Sequence, residues 1–178
     1  VSLTELGSIK INKEERTQML KAIPRNSVIG FLIGVLPGAG ATIASFLAYG
    51  MERNFVSDEE KEKFGKGSVH GLTAPETANN AACSGAFVPL LTLGIPGSGT
   101  TAVMLGALLG FGIQPGPRLY ITNPEIFWSV IMSMYIGMVI LLILNLPLIP
   151  YIARILAVPK NYLIPLILFF SITGIYVM

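Results

Sequence analysis

Apolar positions in this chain fall in long uninterrupted blocks. Asp, Glu, Lys and Arg are absent from 26–51, 77–117, 126–153 and 161–178. About 20 apolar residues carry a helix across the hydrocarbon core, and each block meets or approaches that length. A soluble chain of 178 residues could bury one such helix, but not four. The pattern predicts an all-α membrane protein of transmembrane helices, multi-pass in the lipid bilayer.

The polar stretches between the blocks set the boundaries. Residues 1–27 are polar, and 10–23 read as an amphipathic interfacial helix ahead of Pro24, with Ile11, Met19 and Ile23 on a weak apolar face. Segment 28–50 is apolar but broken at its centre. Residues 52–69 form a wet loop, in which Ser57 and Glu60 have the spacing of a capping box opening a short helix over 58–64. Segment 72–113 is a second broken apolar stretch, closed by the Gln114–Pro117 loop, through which no helix continues. Residues 126–149 are the cleanest spanning helix, with Trp128 and Tyr135 near its start and Pro147 and Pro150 expected to end or kink it. Residues 162–178 begin a further span that the end of the chain truncates. Val1 in place of Met, and Met178 inside an apolar run, fit a fragment of a longer polypeptide.

The two breaks share one pattern, P-G-x-G-x-T. The first copy is Pro37, Gly38, Ala39, Gly40, Ala41 and Thr42. The second is Pro96, Gly97, Ser98, Gly99, Thr100 and Thr101. Paired Gly/Pro interruptions of apolar segments point to a transporter binding site. Lys and Arg concentrate in 1–27, 52–69 and 150–161, while 114–125 holds Arg118 alone. By the positive-inside rule the first three are cytoplasmic and the last periplasmic. Segment 28–50 would then enter and leave on one side, as a re-entrant hairpin with its tip at mid-membrane. A straight broken helix remains the alternative there and in 72–113.

Composition adds limits. Hydrophobic residues make up 52% and charged residues 12% of the chain, about half the charge of an ordinary soluble domain. The net charge of +2 and the absence of a basic stripe give no reason to expect nucleic acid. Cys83 is the single cysteine, so no internal disulfide forms, and it reads as a small packing residue. Gly65–Ser68 lacks Walker spacing, and Gly38-Ala39-Gly40 lacks the third glycine of a dinucleotide fingerprint. His70 stands alone, without metal-ligand spacing, and no nucleophile-and-base set is visible. The chain is therefore expected to be no enzyme, with no metal and no cofactor.

The chemistry lies in the breaks. A helix broken in hydrocarbon leaves backbone N–H and C=O groups that must face protein or a wet cavity. The next half-helix starts with free N–H donors and partial positive charge, an anion site made without a cation. No Lys or Arg lies in 26–51 or 67–117. A carboxylate substrate would be held by the two helix starts, helped by the hydroxyls of Thr42, Ser98, Thr100 and Thr101. The plainer alternative is a pair of kinks that let helices pack. A second constellation follows Pro75, which suits a first helical turn. Glu76, Asn79 and Asn80 then share one face at i, i+3 and i+4 and form a candidate site for a coupling ion, Na⁺ or H⁺. The plainer reading of Glu76 is a cap at a wet interface.

Three stretches carry a resemblance. Gly30–Glu52 (GFLIGVLPGAGATIASFLAYGME), Thr73–Ala82 (TAPETANNAA) and Val88–Pro117 (VPLLTLGIPGSGTTAVMLGALLGFGIQPGP) closely resemble part of the later half of the large membrane subunit of the tripartite tricarboxylate transporters, the TctA family. Thr77 departs from it, at a position expected to hold a small residue such as Ala. The resemblance implies an ion-gradient-driven secondary transporter of the bacterial inner membrane. It implies two partners, a small membrane subunit and a periplasmic solute-binding protein that delivers citrate or another carboxylate. It also implies an earlier half with related Pro-Gly motifs. An anion channel and a non-transporting scaffold subunit remain alternatives from other classes.

Overall fold

The computed structural model describes residues 11–153 and 159–177. Residues 1–10 of the expected interfacial segment, Arg154 of the 150–161 loop and the terminal Met178 lie outside them. Every regular element among the described residues is a helix: α1 (Lys13–Val35), α2 (Gly40–Phe55), α3 (Asp58–Lys61), α4 (Val69–Gly85), α5 (Phe87–Leu93), α6 (Gly99–Gly110), α7 (Leu119–Thr122), α8 (Pro124–Ala153) and α9 (Lys160–Val177). The chain divides into two compact units, Lys10–Val130 and one that starts at Ile131 within α8.

In the first unit, α1 opens on a complete capping box. The Asn12 side chain accepts from the Glu15 N–H, and the Glu15 carboxylate accepts from the Asn12 N–H, each at 2.8 Å. The helix does not stop at Pro24, contrary to the sequence expectation, but runs on to Val35. Pro24 removes one N–H from the ladder. The lost bond is offset by a buried row that passes through it at four-residue spacing: Ala22, Asn26, Gly30 and Gly34. An interfacial helix over 10–23 and a separate apolar segment after it are thus one element.

Two further helices present the same kind of row. On α2 it is Ala44, Ala48 and Glu52. On α4 it is His70, Ala74, Ala78 and Ala82. Ala44, Ala48, Ala78 and Ala82 form the buried apolar cluster, with Ile33 and Ala41 against it. A Cβ placed on Gly30 would collide with the backbone of Ala78, and one on Gly34 with the backbone of Ala82. Helices α1 and α4 therefore run parallel and touch backbone to backbone. Helix α2 returns against both, since Glu52 near its end pairs with Arg25 of α1 and His70 of α4.

The outer faces carry the large side chains. Phe46 is 76% exposed, and Leu32, Ile43, Leu47 and Leu72 also face outward. A water-soluble bundle hides such residues. Lipid supplies no hydrophobic drive between helices, so membrane bundles bury small residues and close on backbone contact.

Other expectations needed correction. Helix α4 starts at Val69, where the Ser68 hydroxyl accepts from the Gly71 N–H at 3.0 Å. That cap places Pro75 in the second turn, not the first. Ser57 does precede α3, but its side chain makes no capping bond, and α3 ends at Lys61 rather than residue 64. The Glu60 carboxylate is instead turned to Lys63 (3.0 Å) and to the hydroxyl of Ser68 (2.8 Å). Burial pushes the Glu60 carboxyl up, but these two partners outweigh it and hold it below the usual carboxylate range. Cys83 lies exposed rather than packed.

Helix α5 ends at Gly94, whose φ of 70° is left-handed. Its N–H donates to the Leu90 carbonyl and the N–H of Ile95 to that of Pro89, which closes the helix end. A Cβ on Gly94 would lie 2.7 Å from the Pro115 carbonyl oxygen. The Gly116 N–H reaches the Leu91 carbonyl at 3.3 Å. The chain thus leaves α5 at Gly94, makes α6, and returns to the same place through the Gln114–Pro117 loop.

Helix α8 continues past Pro147 to Ala153, so that proline does not end it. Pro124–Ile149 is 26 residues long, reaches a mean hydropathy of 2.4 in its most apolar 18-residue stretch, and is long enough to cross a membrane. Gly99–Gly110 and Asn161–Val177 are shorter apolar helices. In the second unit, α9 turns Phe169, Phe170 and Ile172 outward.

Candidate functional site

The two breaks meet. The N–H of Gly38 donates to the carbonyl of Gly97 at 3.3 Å, joining the first Pro-Gly copy to the second. Around this bond the copies differ. In the first, Gly38 and Gly40 both take positive φ, 83° and 67°, and the chain reverses within Leu36–Ala39 between α1 and α2. In the second, Gly94 makes the left-handed turn, and Gly97 is buried against Ala86, leaving 3.1 Å for a Cβ. One six-residue pattern thus supplies two local structures with one meeting point.

The two helix starts also differ in what they leave free. Ser98 caps α6: its hydroxyl accepts from the Thr101 N–H at 3.2 Å, and the Thr101 hydroxyl accepts from the Ser98 N–H at 2.8 Å. The Thr101 hydroxyl also donates to the Ser98 carbonyl at 2.9 Å. Ser98 and Thr101, expected to assist an anion, therefore hold each other. At α2 the capping position is Ala39, which brings no side-chain bond. Thr42 and Thr100 are exposed, as are Pro37 and Gly38, while Ala39, Gly40, Ala41 and Pro96 are half-buried. The start of α2 is the less capped of the two.

The second constellation separates. Asn79 is half-buried and donates to the Ser45 hydroxyl of α2 at 3.3 Å. Ser45 in turn donates to the carbonyls of Ala41 (3.0 Å) and Pro75 (3.2 Å). Asn80 is exposed and bonds the Glu76 carbonyl one turn back. Glu76 is exposed. Asn79 is thus the member that faces the helix interface, and the three do not meet.

The sequence reading missed a cluster at the other end of α1 and α2. Glu52 of α2 is fully buried and is held by side chains of two other helices, α1 and α4. Arg25 grips both of its oxygens. The Asn26 amide donates to Oε2, and His70 Nδ1 lies against Oε1 at 2.7 Å. The Arg25 guanidinium also sits 4.3 Å over the Phe55 ring. The signal was available: each four-residue row of small residues contains one polar member, Asn26, Glu52 or His70. Among the described residues no group of three or more His, Cys, Asp or Glu could hold a metal.

Buried small residues, outward apolar faces and paired helix breaks define a helical protein of membrane type. The chain belongs to the Tripartite tricarboxylate transporter TctA family, which it matches over residues 2–178. It is 40% identical over 176 residues to an uncharacterized 52.8 kDa protein of the TAR-I ttuC' 3' region of Agrobacterium vitis. It is 45% identical over 147 residues to an uncharacterized protein of the TAR-II ttuC' 3' region of the same organism. These alignments take in 99% and 83% of the chain. The chain spans 35% of the first relative's length and 60% of the second's. No solved structure matches it.

Proposed function

We propose that this chain is part of the large membrane subunit of an ion-coupled secondary transporter for tricarboxylates or related carboxylates. It acts in the bacterial inner membrane with a small membrane subunit and a periplasmic solute-binding protein. The observation that carries the reading is the Gly38-to-Gly97 hydrogen bond. It brings together the two breaks where half-helices start, in a region without Lys or Arg.

In this reading, α1 and α2 form a re-entrant hairpin whose tip is the junction. The N–H groups at the start of α2, with the Thr42 hydroxyl, take one part of the anion. Gly99 and Thr100 of α6 take another. Helix starts favour negative charge and suit carboxylates. The rest of the site belongs to the remainder of the protein, since the relatives are longer. Asn79 is the member of the Glu76, Asn79 and Asn80 set best placed to serve the coupling ion, Na⁺ or H⁺. No chemical conversion of the substrate is proposed.

The test uses the full-length protein with its partners in proteoliposomes, under imposed Na⁺ and H⁺ gradients. Labelled tricarboxylate should accumulate with one of the gradients and saturate. Thr42→Val and Thr100→Val should each raise KM about tenfold, the cost of one hydrogen bond to a charged group. Uptake that does not saturate and ignores both gradients favours a channel. Unchanged KM in both variants removes the helix-start site.

A further inference from the structure

Helix α4 turns a polar side outward at the depth where α1 and α2 turn apolar sides outward. The register follows from the backbone contacts, Gly30 with Ala78 and Gly34 with Ala82. With the two helices parallel, the same offset sets Val28 level with Glu76, Leu32 with Asn80 and Leu36 with Ser84. Each of these six lies two residues from a contact position, about 200° around its helix. Val28, Leu32 and Leu36 therefore face away from α4, and Glu76, Asn80 and Ser84 face away from α1.

At the same three levels the helix pair shows opposite chemistry on its two sides. Val28 and Leu32 are each 60% exposed and Leu36 is 59% exposed. On the other side Glu76 and Asn80 are exposed and Ser84 is half-buried. Helix α2 agrees with α1: around the bond from Ser45 to the Pro75 carbonyl, its outward residues are Ile43, Phe46 and Leu47. The α4 groups satisfy little of one another. The Asn80 amide donates to the Glu76 carbonyl and the Ser84 hydroxyl to the Asn80 carbonyl. The Glu76 carboxylate and the Asn80 amide oxygen have no partner among the described residues. Neither 26–51 nor 67–117 holds a Lys or Arg that could pair with the carboxylate. A carboxylate left against hydrocarbon is costly, so the two sides do not meet the same medium.

We propose that the Glu76–Ser84 side of α4 lines a water-filled cavity, into which Glu76 draws small cations, while the opposite side of α1 faces lipid. Water satisfies the oxygens that the chain leaves free. Leu72, one turn before Glu76, is exposed and apolar and marks where the polar run begins. At the other end Ser84 is level with Leu36, the residue before Pro37, so the cavity reaches the depth of the Pro-Gly junction. A cation held there by the carboxylate and amide oxygens gives an anion at the junction the counter-charge that no Lys or Arg of this region supplies. Equating that cation with the coupling ion rests on the transport reading, whereas the cavity does not.

Cys83 is exposed and lies two turns on from Glu76, on the same side of α4, so it serves as the reporter. The full-length protein, with Cys83 its sole cysteine, is treated in membrane vesicles of both orientations. The reagents are the cationic trimethylammonium-ethyl and the anionic sulfonatoethyl methanethiosulfonates. The reference is Cys83→Ala with Leu32→Cys, on the lipid side. Cys83 should react about tenfold faster than the reference or more, because a thiol in an apolar medium stays protonated and unreactive. Glu76→Gln should lower the ratio of cationic to anionic rates at Cys83 about threefold at low salt, the effect of one charge two turns away in water. Equal labelling of Cys83 and the reference overturns the proposal. So does a Cys83 that resists both reagents, since a helix from the rest of the protein would then cover that side. A rate ratio that Glu76→Gln leaves unchanged overturns the role of Glu76. If Leu32→Cys fails to fold, Phe46→Cys on α2 takes its place. Labelling needs no uptake, so a protein that labels as expected and transports nothing refutes the transport reading alone.

Discussion

Single hydroxyls at the breaks separate holding the fold from holding a ligand. Ser98 and Thr101 satisfy each other and the start of α6. Replacing Ser98 by Ala removes a capping acceptor, so the full-length protein should lose about 1 kcal/mol of stability. That loss is measurable by thermal unfolding in detergent. Thr42 has no such duty, and its replacement should leave the melting temperature in place. The pair tests the local geometry: equal effects on stability would mean that Ser98 is no cap. Gly38 is a different case. Its surroundings are open, but its φ of 83° disfavours any side chain. A substitution there strains the reversal between α1 and α2 as well as touching the anion site. Thr42 is therefore the cleaner probe.

At the scale of the helix, the row of small residues governs. Gly30 and Gly34 let α1 lie against the backbone of α4, with Ala78 and Ala82 opposite. Here a side chain has no flexible neighbour to displace, because the opposing atoms are main chain. Gly34→Leu should force the helices apart and cost about 3 kcal/mol or more, the upper range for overpacking. Gly50 has nothing within 4 Å of an added Cβ, and Gly50→Leu should be tolerated. Comparable unfolding temperatures for the two variants, again in detergent, would contradict the backbone contact. The same row explains why Pro24 does not end α1. A missing hydrogen bond is a local loss, whereas the row extends on both sides of the proline. Sequence rules for proline weigh the local term alone, and so does the rule that placed Pro75 in a first turn. At Pro75 the Ser68 cap had already fixed the start of α4.

For the whole molecule, charge-free blocks made the helical, membrane-type architecture legible. The P-G-x-G-x-T echo marked the two places that meet at Gly38 and Gly97. Their meeting was not itself legible, since the echo says nothing of which helices carry the breaks towards each other. Nor was the difference between the copies, because Ala39 against Ser98 decides which start is capped. The Glu76, Asn79 and Asn80 set looked like one face by helical spacing. Spacing does not say which way a face turns, and the interface passes through Asn79 alone. His70 looked isolated because its partner, Glu52, is 18 positions away in sequence.

The small-residue rows have one more consequence. An interface of glycine and alanine repeated every four residues nearly matches itself when one helix slides by one repeat, about 6 Å. Packing alone therefore distinguishes poorly between neighbouring registers of α1, α2 and α4. What most distinguishes them is the charged layer, where Asn26, Glu52 and His70 stand in the three rows, and where any slip strands a buried charge. The full-length protein with Arg25, Asn26, Glu52 and His70 all replaced by apolar residues should lose this discrimination. Spin labels on the outer faces of α1 and α4 should then report a second distance population besides the native one. A single native distance in that variant would show that the rows fix their own alignment. In the first case the ion pair is the notch of a ratchet, and the helices are its smooth track.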